Sequence, residues 1–157
     1  AVSLGGSQYL KTLHGMAAGA LPQIDLELER RLQMLLRRLV REGLPGSANA
    51  LTGGGLAVAL AESCFRGGRG ANVTLPNEAR PEMLLFGEGP SRAAVSVKPG
   101  DAARLEAMAR EAAVPAVRLG RTGGERLRIA SGEHTWIDLP LTQLRKVYRE
   151  AIPCPAR

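Results

Sequence analysis

Aromatic side chains are scarce in this sequence: phenylalanine, tyrosine and tryptophan together make up 3% of it. Its core must therefore be built from Leu, Val, Ala and Ile, and no aromatic pair is spaced along a strand as a stacking platform for nucleic-acid bases. Cysteine is as sparse. Cys64 falls in an apolar helical pattern and Cys154 in a proline-flanked tail, so neither suggests a disulfide framework, and neither has metal-ligand spacing to another Cys or His. A reducing, cytoplasmic setting is the simpler expectation. Long apolar runs are missing too. The longest, Leu56 to Ala61, is far short of the roughly 20 residues that cross a bilayer. The N-terminus lacks the basic-then-apolar pattern of a secretory signal. The chain opens on Ala1 without an initiator Met and reads as structured from its first residues, which is compatible with a domain excised from a longer polypeptide.

What is present is a globular composition. The 157 residues are 45% hydrophobic, enough for one domain with a proper core. The net charge is +6, nearly all of the positive charge being arginine. A basic surface of this kind suits nucleic acid, an anionic small molecule or an acidic partner domain, or is simply solvated. No recognition-helix signature and no block of consecutive basic residues points to nucleic acid.

The pattern along the chain alternates helix and strand. A Gly-Gly turn leads into a short helix before His14, and Gly15 to Pro22 reads as a loop. Asp25 caps a strong helix with Leu28, Leu32, Leu35, Leu36, Leu39 and Val40 on one face, ended by Gly43. Residues 47–52 are extended and feed three glycines and a helix from Leu56 to Arg66. Strands are expected at Asn72–Leu75, Ala93–Val97, Ala116–Leu119, Leu127–Ala130 and Thr135–Leu139. Helices are expected at Pro81–Phe86, after Asp101 with Leu105, Met108, Ala109 and Ala112 inward, and from Thr142 to Ala151. Gly123–Gly124, between two strand-like runs, reads as a hairpin turn. The sum is an α+β fold with a mixed β-sheet covered by helices.

Two segments are candidates for chemistry. In Thr52-Gly53-Gly54-Gly55-Leu56, glycines directly precede a helix, so bare backbone N–H groups and a positive dipole end can receive an anion; the alternative is close packing of the helix on a strand. No Gly-Lys-Ser/Thr follows, and the spacing is not that of a dinucleotide fingerprint. In Leu85 to Arg92, LFGEGPSR, two glycines and Pro90 make a loop on which Glu88, Ser91 and Arg92 can converge. Arg92 can fork onto a phosphate or carboxylate, and the alternative is a tight turn with a local Glu88–Arg92 ion pair. A third Gly-Gly-Ser turn, Leu4 to Leu10, is either another anion cradle or a link to a further domain. His14 and His134 stand apart from any acid or nucleophile, so a structural part is expected for both.

The order LGGSQYL, SANALTGGGLAVALAES, LFGEGPSRAAVSV, RLGRTGGERLRI and IDLPLTQLRKVYREAI resembles, from about Leu4 to about Ile152, the C-terminal domain of the large subunit of phosphoribosylformylglycinamidine synthase, in the aminoimidazole ribonucleotide synthetase-like superfamily. The resemblance implies a layered α/β/α domain with partial ferredoxin-like similarity. It divides the chain into residues 1–24, an N-terminal segment and linker from the preceding domain, and residues 25–157, the C-terminal α/β domain. It also implies a ligase of de novo purine biosynthesis that converts formylglycinamide ribonucleotide to the amidine. ATP and magnesium would be held mainly by other domains, and ammonia would come from a glutaminase subunit bridged by a small third subunit. ATP would activate the amide oxygen as a phosphoryl ester, from which ammonia displaces phosphate.

Asn49, Thr52, Gly53, Gly54, Gly55, Gly87, Glu88, Ser91 and Arg92 are the matching candidates for binding a phosphorylated ligand, with no catalytic and no metal-binding residue among them. The family usually carries His and two Asp where this chain has Asn49, Ala50 and Gly53, so an acidic function of that motif is not expected here. The fragment alone is expected to be inactive, to bind no nucleic acid or membrane, and to be able to self-associate through faces that normally meet the N-terminal domains. Aminoimidazole ribonucleotide synthetase or another superfamily relative, and a non-enzymatic basic binding domain, are the alternatives.

Overall fold

The structure, a computed structural model, describes residues 2–76 and 80–151. The proline-rich tail, with Cys154, lies outside the described residues. In chain order the elements are α1 (Gln8–His14), α2 (Leu26–Arg41), β1 (Pro45–Ala50), α3 (Gly55–Gly67), β2 (Ala71–Thr74), α4 (Pro81–Phe86), β3 (Ala93–Val97), α5 (Ala102–Glu111, entered through a short 3-10 turn), β4 (Gly120–Thr122), β5 (Arg126–Ser131), β6 (His134–Pro140) and α6 (Leu141–Glu150). They fall into two compact units, Ala1–Ala59 with Arg80–Arg118 and Leu60–Ala79 with Leu119–Arg157.

The first unit is organised by α2. The Asp25 carboxylate accepts the Leu28 N–H at 3.0 Å, and acids fill the first turn and arginines the last, as the helix dipole favours. Leu35 and Leu39 of α2 pack on Met108 and Ala109 of α5, with Leu44 and Val114 closing the cluster. Leu28, Leu32, Leu36, Leu105 and Ala112 border it. Val40, read from the sequence as part of this face, is 62% exposed. One residue beyond Leu39, it is swung about 100° around the axis and off the buried row. At the surface Glu42 accepts from Arg38 at 3.0 Å and from Arg104 at 2.6 Å, pinning the end of α2 to α5. Strands β1 and β3 pair antiparallel, Ala48 opposite Val95.

The second unit holds a four-stranded sheet in the order β4-β2-β5-β6. It is mixed: β2 and β5 run parallel, and the other pairs are antiparallel. Val73, Leu127 and Ile129 put the alternate side chains of β2 and β5 in the interior, and Leu141 at the head of α6 is buried too. The Cys64 thiol is buried, and burial pushes its pKa up. Two expectations are corrected here. The strand expected at Ala116–Leu119 lies at Gly120–Thr122, an exposed edge strand, and Val117, which carried the apolar signal, is 77% exposed. The Gly123–Gly124 turn does not close a hairpin: β4 pairs with β2, and the turn is bonded to Gly70 on both sides. The tight hairpin is β5–β6, turning at Gly132.

Because Leu39 is 1% exposed and Val40 largely solvated, Leu39→Ala is expected to lower stability by about 2–5 kcal/mol. Val40→Ala should stay within about 0.5 kcal/mol of the parent. Urea unfolding of the two variants separates the cases.

Candidate functional site

The two loops singled out in the sequence meet in the first unit, and Glu88 joins them. Its main chain pairs with the N-terminal segment, the Ser3 and Glu88 N–H groups each donating to the other residue's carbonyl at 2.9 Å. Its side chain then does two things with one atom. Glu88 Oε1 accepts the Gln8 N–H at 2.7 Å and the Gly54 N–H at 2.8 Å. Gln8 is the first residue of α1, capped by Ser7, whose Oγ accepts the Leu10 N–H. The carboxylate therefore sits where an amide of α1 and an amide of the glycine loop converge. The anion on the Gly54 amide is the chain's own.

Packing makes the same junction tight. Tyr9 stacks on Phe86 with ring centroids 5.0 Å apart. Gly55 has φ +68°, and a Cβ there would lie 2.8–2.9 Å from the main chain of Leu85, Phe86 and Gly87. Only glycine allows α3 to start in this conformation against that loop. The Thr52 carbonyl accepts the Gly55 N–H at 3.1 Å, closing the turn. Thr52 and Gly53 remain exposed, whereas Gly54 and Gly55 are buried. Asn49, on β1, donates from Nδ2 to the Ala59 carbonyl at 3.1 Å and so braces the beginning of α3.

Arg92 is held by main chain rather than by a carboxylate. Its guanidinium donates to the Gly87 carbonyl at 3.1 Å, and its own carbonyl accepts the Leu51 N–H. The side chain is half-buried, and burial holds its pKa below the usual guanidinium range. Among the described residues it has no ion pair with a carboxylate, so the local Glu88–Arg92 pair considered from the sequence does not form. Beside it Ser91 has φ +58°, in the left-handed region that few non-glycine residues adopt. The Ser91 hydroxyl is shielded from solvent outside ideal hydrogen-bond geometry. It is nevertheless close enough to Glu29, with Gln33 assisting, to hold that carboxyl below its ordinary value.

The structure thus brings Thr52, Gly53, Gly54, Gly55, Gly87, Glu88, Ser91 and Arg92 to one junction, with Asn49 behind it. Sequence reasoning missed Gln8, Ser3 and Glu29 as parts of the assembly. The Gly-Gly-Ser turn before α1 was a signal for an anion, but not for which one. Among the described residues no group of three or more His, Cys, Asp or Glu is gathered to hold a metal ion.

Glu88→Ala leaves the part-buried Gly54 amide and the exposed Gln8 amide without their acceptor, and a stability loss of about 1–2 kcal/mol is expected, with Glu88→Gln recovering part of it. Gly55→Ala should cost at least about 1–3 kcal/mol through forced backbone movement. Denaturant midpoints of the three variants, read with near-UV circular dichroism of the Tyr9–Phe86 stack, check both expectations.

Comparison with known proteins gives this arrangement its kin. Residues 2–130 match the family described as AIR synthase related protein, C-terminal domain. The phosphoribosylformylglycinamidine synthase subunit PurL of Moorella thermoacetica is 44% identical over 96% of this chain, which covers 20% of that relative. Among solved structures, T. maritima PurL complexed with FGAR aligns with a TM-score of 0.68 at 26% identity, over 74% of this chain and 20% of that one. T. maritima PurL complexed with AMPPCP aligns with a TM-score of 0.69 at 25% identity, over 80% and 24% respectively. The chain spans about a fifth of the length of the curated relatives it matches. With the family match running through both candidate loops, the chain belongs to the AIR synthase related protein family as its C-terminal domain.

Proposed function

We propose that this chain is the C-terminal α/β domain of the large subunit of phosphoribosylformylglycinamidine synthase, an ATP-dependent carbon–nitrogen ligase of purine biosynthesis. The observation that carries the reading is similarity along nearly the whole chain to proteins named as that subunit. Solved relatives hold FGAR and the nucleotide analogue AMPPCP, so the whole protein is read as taking formylglycinamide ribonucleotide and ATP. In this reading residues 1–24 lead in from a preceding domain and residues 25–157 form the C-terminal domain. ATP and magnesium are held mainly by the other domains, and a glutaminase subunit with a small bridging subunit supplies ammonia.

This domain then contributes walls rather than reacting groups. Arg92, a half-buried cation without an acidic partner among the described residues, is the group best placed to meet a phosphate through its planar fork. Exposed Thr52 and Gly53 supply polar rim groups beside it. Asn49, Gly54, Gly55, Gly87, Glu88 and Ser91 hold the two loops in register, their polar groups being largely spent inside the chain. Magnesium, when bound, would offset charge on the transferring phosphoryl group, and no residue described here is assigned to it.

A non-enzymatic basic binding domain is disfavoured by where the charge goes. Glu27, Glu42, Glu62, Glu82, Glu106, Glu111 and Asp138 each pair with an arginine. Seven arginines are thereby matched to acids, and the sequence has no block of consecutive basic residues to track a phosphate backbone.

In the full-length polypeptide combined with glutaminase and small subunits, ATP-dependent amidine formation is expected. Arg92→Ala should lower kcat/KM about 10- to 100-fold, with Arg92→Lys recovering only part. No turnover by the assembled parent enzyme, or an unchanged kcat/KM in Arg92→Ala, would overturn the reading. The 157-residue chain alone should show no turnover, and calorimetry should find weak or no ATP binding to it.

A further inference from the structure

The segment joining α1 to α2 carries a concentration of solvated apolar side chains that nothing in the first unit explains. Leu13 is 65% exposed, Met16 49%, Leu21 74%, Ile24 53% and Leu26 71%. Five of the eleven exposed large apolar side chains among the described residues thus lie between residues 13 and 26. The same stretch is almost free of charge. Its one charged residue is Asp25, whose carboxylate is engaged as the cap of α2, in a chain that is 23% charged overall.

These side chains do not ride on a loose tether. The Gly6 N–H donates to the Ala18 carbonyl and the Ser3 hydroxyl to the Ala20 carbonyl, both at 3.0 Å, and the Met16 N–H donates to Leu10. The main chain of Gly5 lies directly against Gly19 and Ala20. The backbone is held on Ser3, Gly5 and Gly6 while the large side chains are exposed. A fixed, uncharged, apolar surface of this kind marks a place where protein is covered by protein.

We propose that Leu13–Leu26 is a docking surface for an apolar face of the longer polypeptide to which this domain belongs. The length of the relatives argues for that occupant: this chain accounts for about a fifth of them, so most of the polypeptide stands outside it, tethered and at high effective concentration. The lack of charge argues against an acidic partner, which the arginine faces elsewhere would attract. The proposal rests on the family assignment, not on the ligase reading.

The test is thiol accessibility. Leu13→Cys and Ile24→Cys, each with Cys154→Ser, are placed in the 157-residue chain and in the longer polypeptide, and iodoacetamide labelling of the peptide concerned is followed by mass spectrometry. Buried Cys64 is the internal slow reference. Both test positions are exposed in the present chain, so the substitutions leave folding intact. Labelling should be at least about tenfold slower in the longer polypeptide than in the short chain. Equal rates in the two overturn the proposal. Protection already present in the short chain and rising with its concentration assigns the surface to a second copy, and overturns it as well. Labelling needs no turnover, so its outcome is separate from that of the amidine assay.

Discussion

One carboxylate oxygen holds the junction of the two loops in the first unit together. Glu88 Oε1 is shared between the first amide of α1 and an amide of the glycine loop, while the main chain of the same residue is paired with Ser3. Three stretches distant in sequence are fixed by a single side chain. Backbone amides at a helix start attract negative charge, and a covalently attached anion reaches them at no translational cost. The glycine loop is therefore ordered without a ligand, and its shape is set in advance of anything that binds nearby.

That arrangement redistributes the work among the neighbouring residues. Glu88 satisfies the Gly54 amide and leaves the Arg92 guanidinium without a carboxylate partner among the described residues. Arg92 is anchored through Gly87, which is itself pressed against the start of α3 by Gly55. Ser91, held in the left-handed region beside it, is the kind of local strain that persists where surrounding structure demands a particular chain direction. Asn49 is turned toward the Ala59 carbonyl and works as a brace. A short amide side chain suits that task, being donor and acceptor without charge.

Much of the fold was legible because periodicity and capping report on local energetics. The α2 stripe, its Asp25 cap and the glycine stop after it were all readable, and so were α3, α5 and α6. Strand β4 was not, because an edge strand of Gly, Arg and Thr has no buried face to pattern. The turn after it was misread as a hairpin, since Gly123–Gly124 is spent on Gly70. At the site, the residue types of both loops pointed to their meeting. The partners of Glu88 could not be read, since Gln8 and Gly54 lie 80 and 34 residues away and act through amides that every residue possesses. The isolation of Arg92 was equally hidden, because Glu88 stands four positions before it and looks like a ready counter-ion.

The order in which the sheet strands occur along the chain has a consequence for biogenesis. Strand β2 must lie between β4 and β5, yet the whole of Arg80–Arg118, which belongs to the other unit, is translated before either partner exists. On the ribosome, Ala71–Thr74 emerges with both of its edges bare, and they stay so until the last quarter of the domain has been made. Parallel pairing over such a separation is slow to nucleate. Newly made chains therefore pass through a period in which this short strand, whose Ala71 and Val73 are buried in the finished sheet, has neither edge paired.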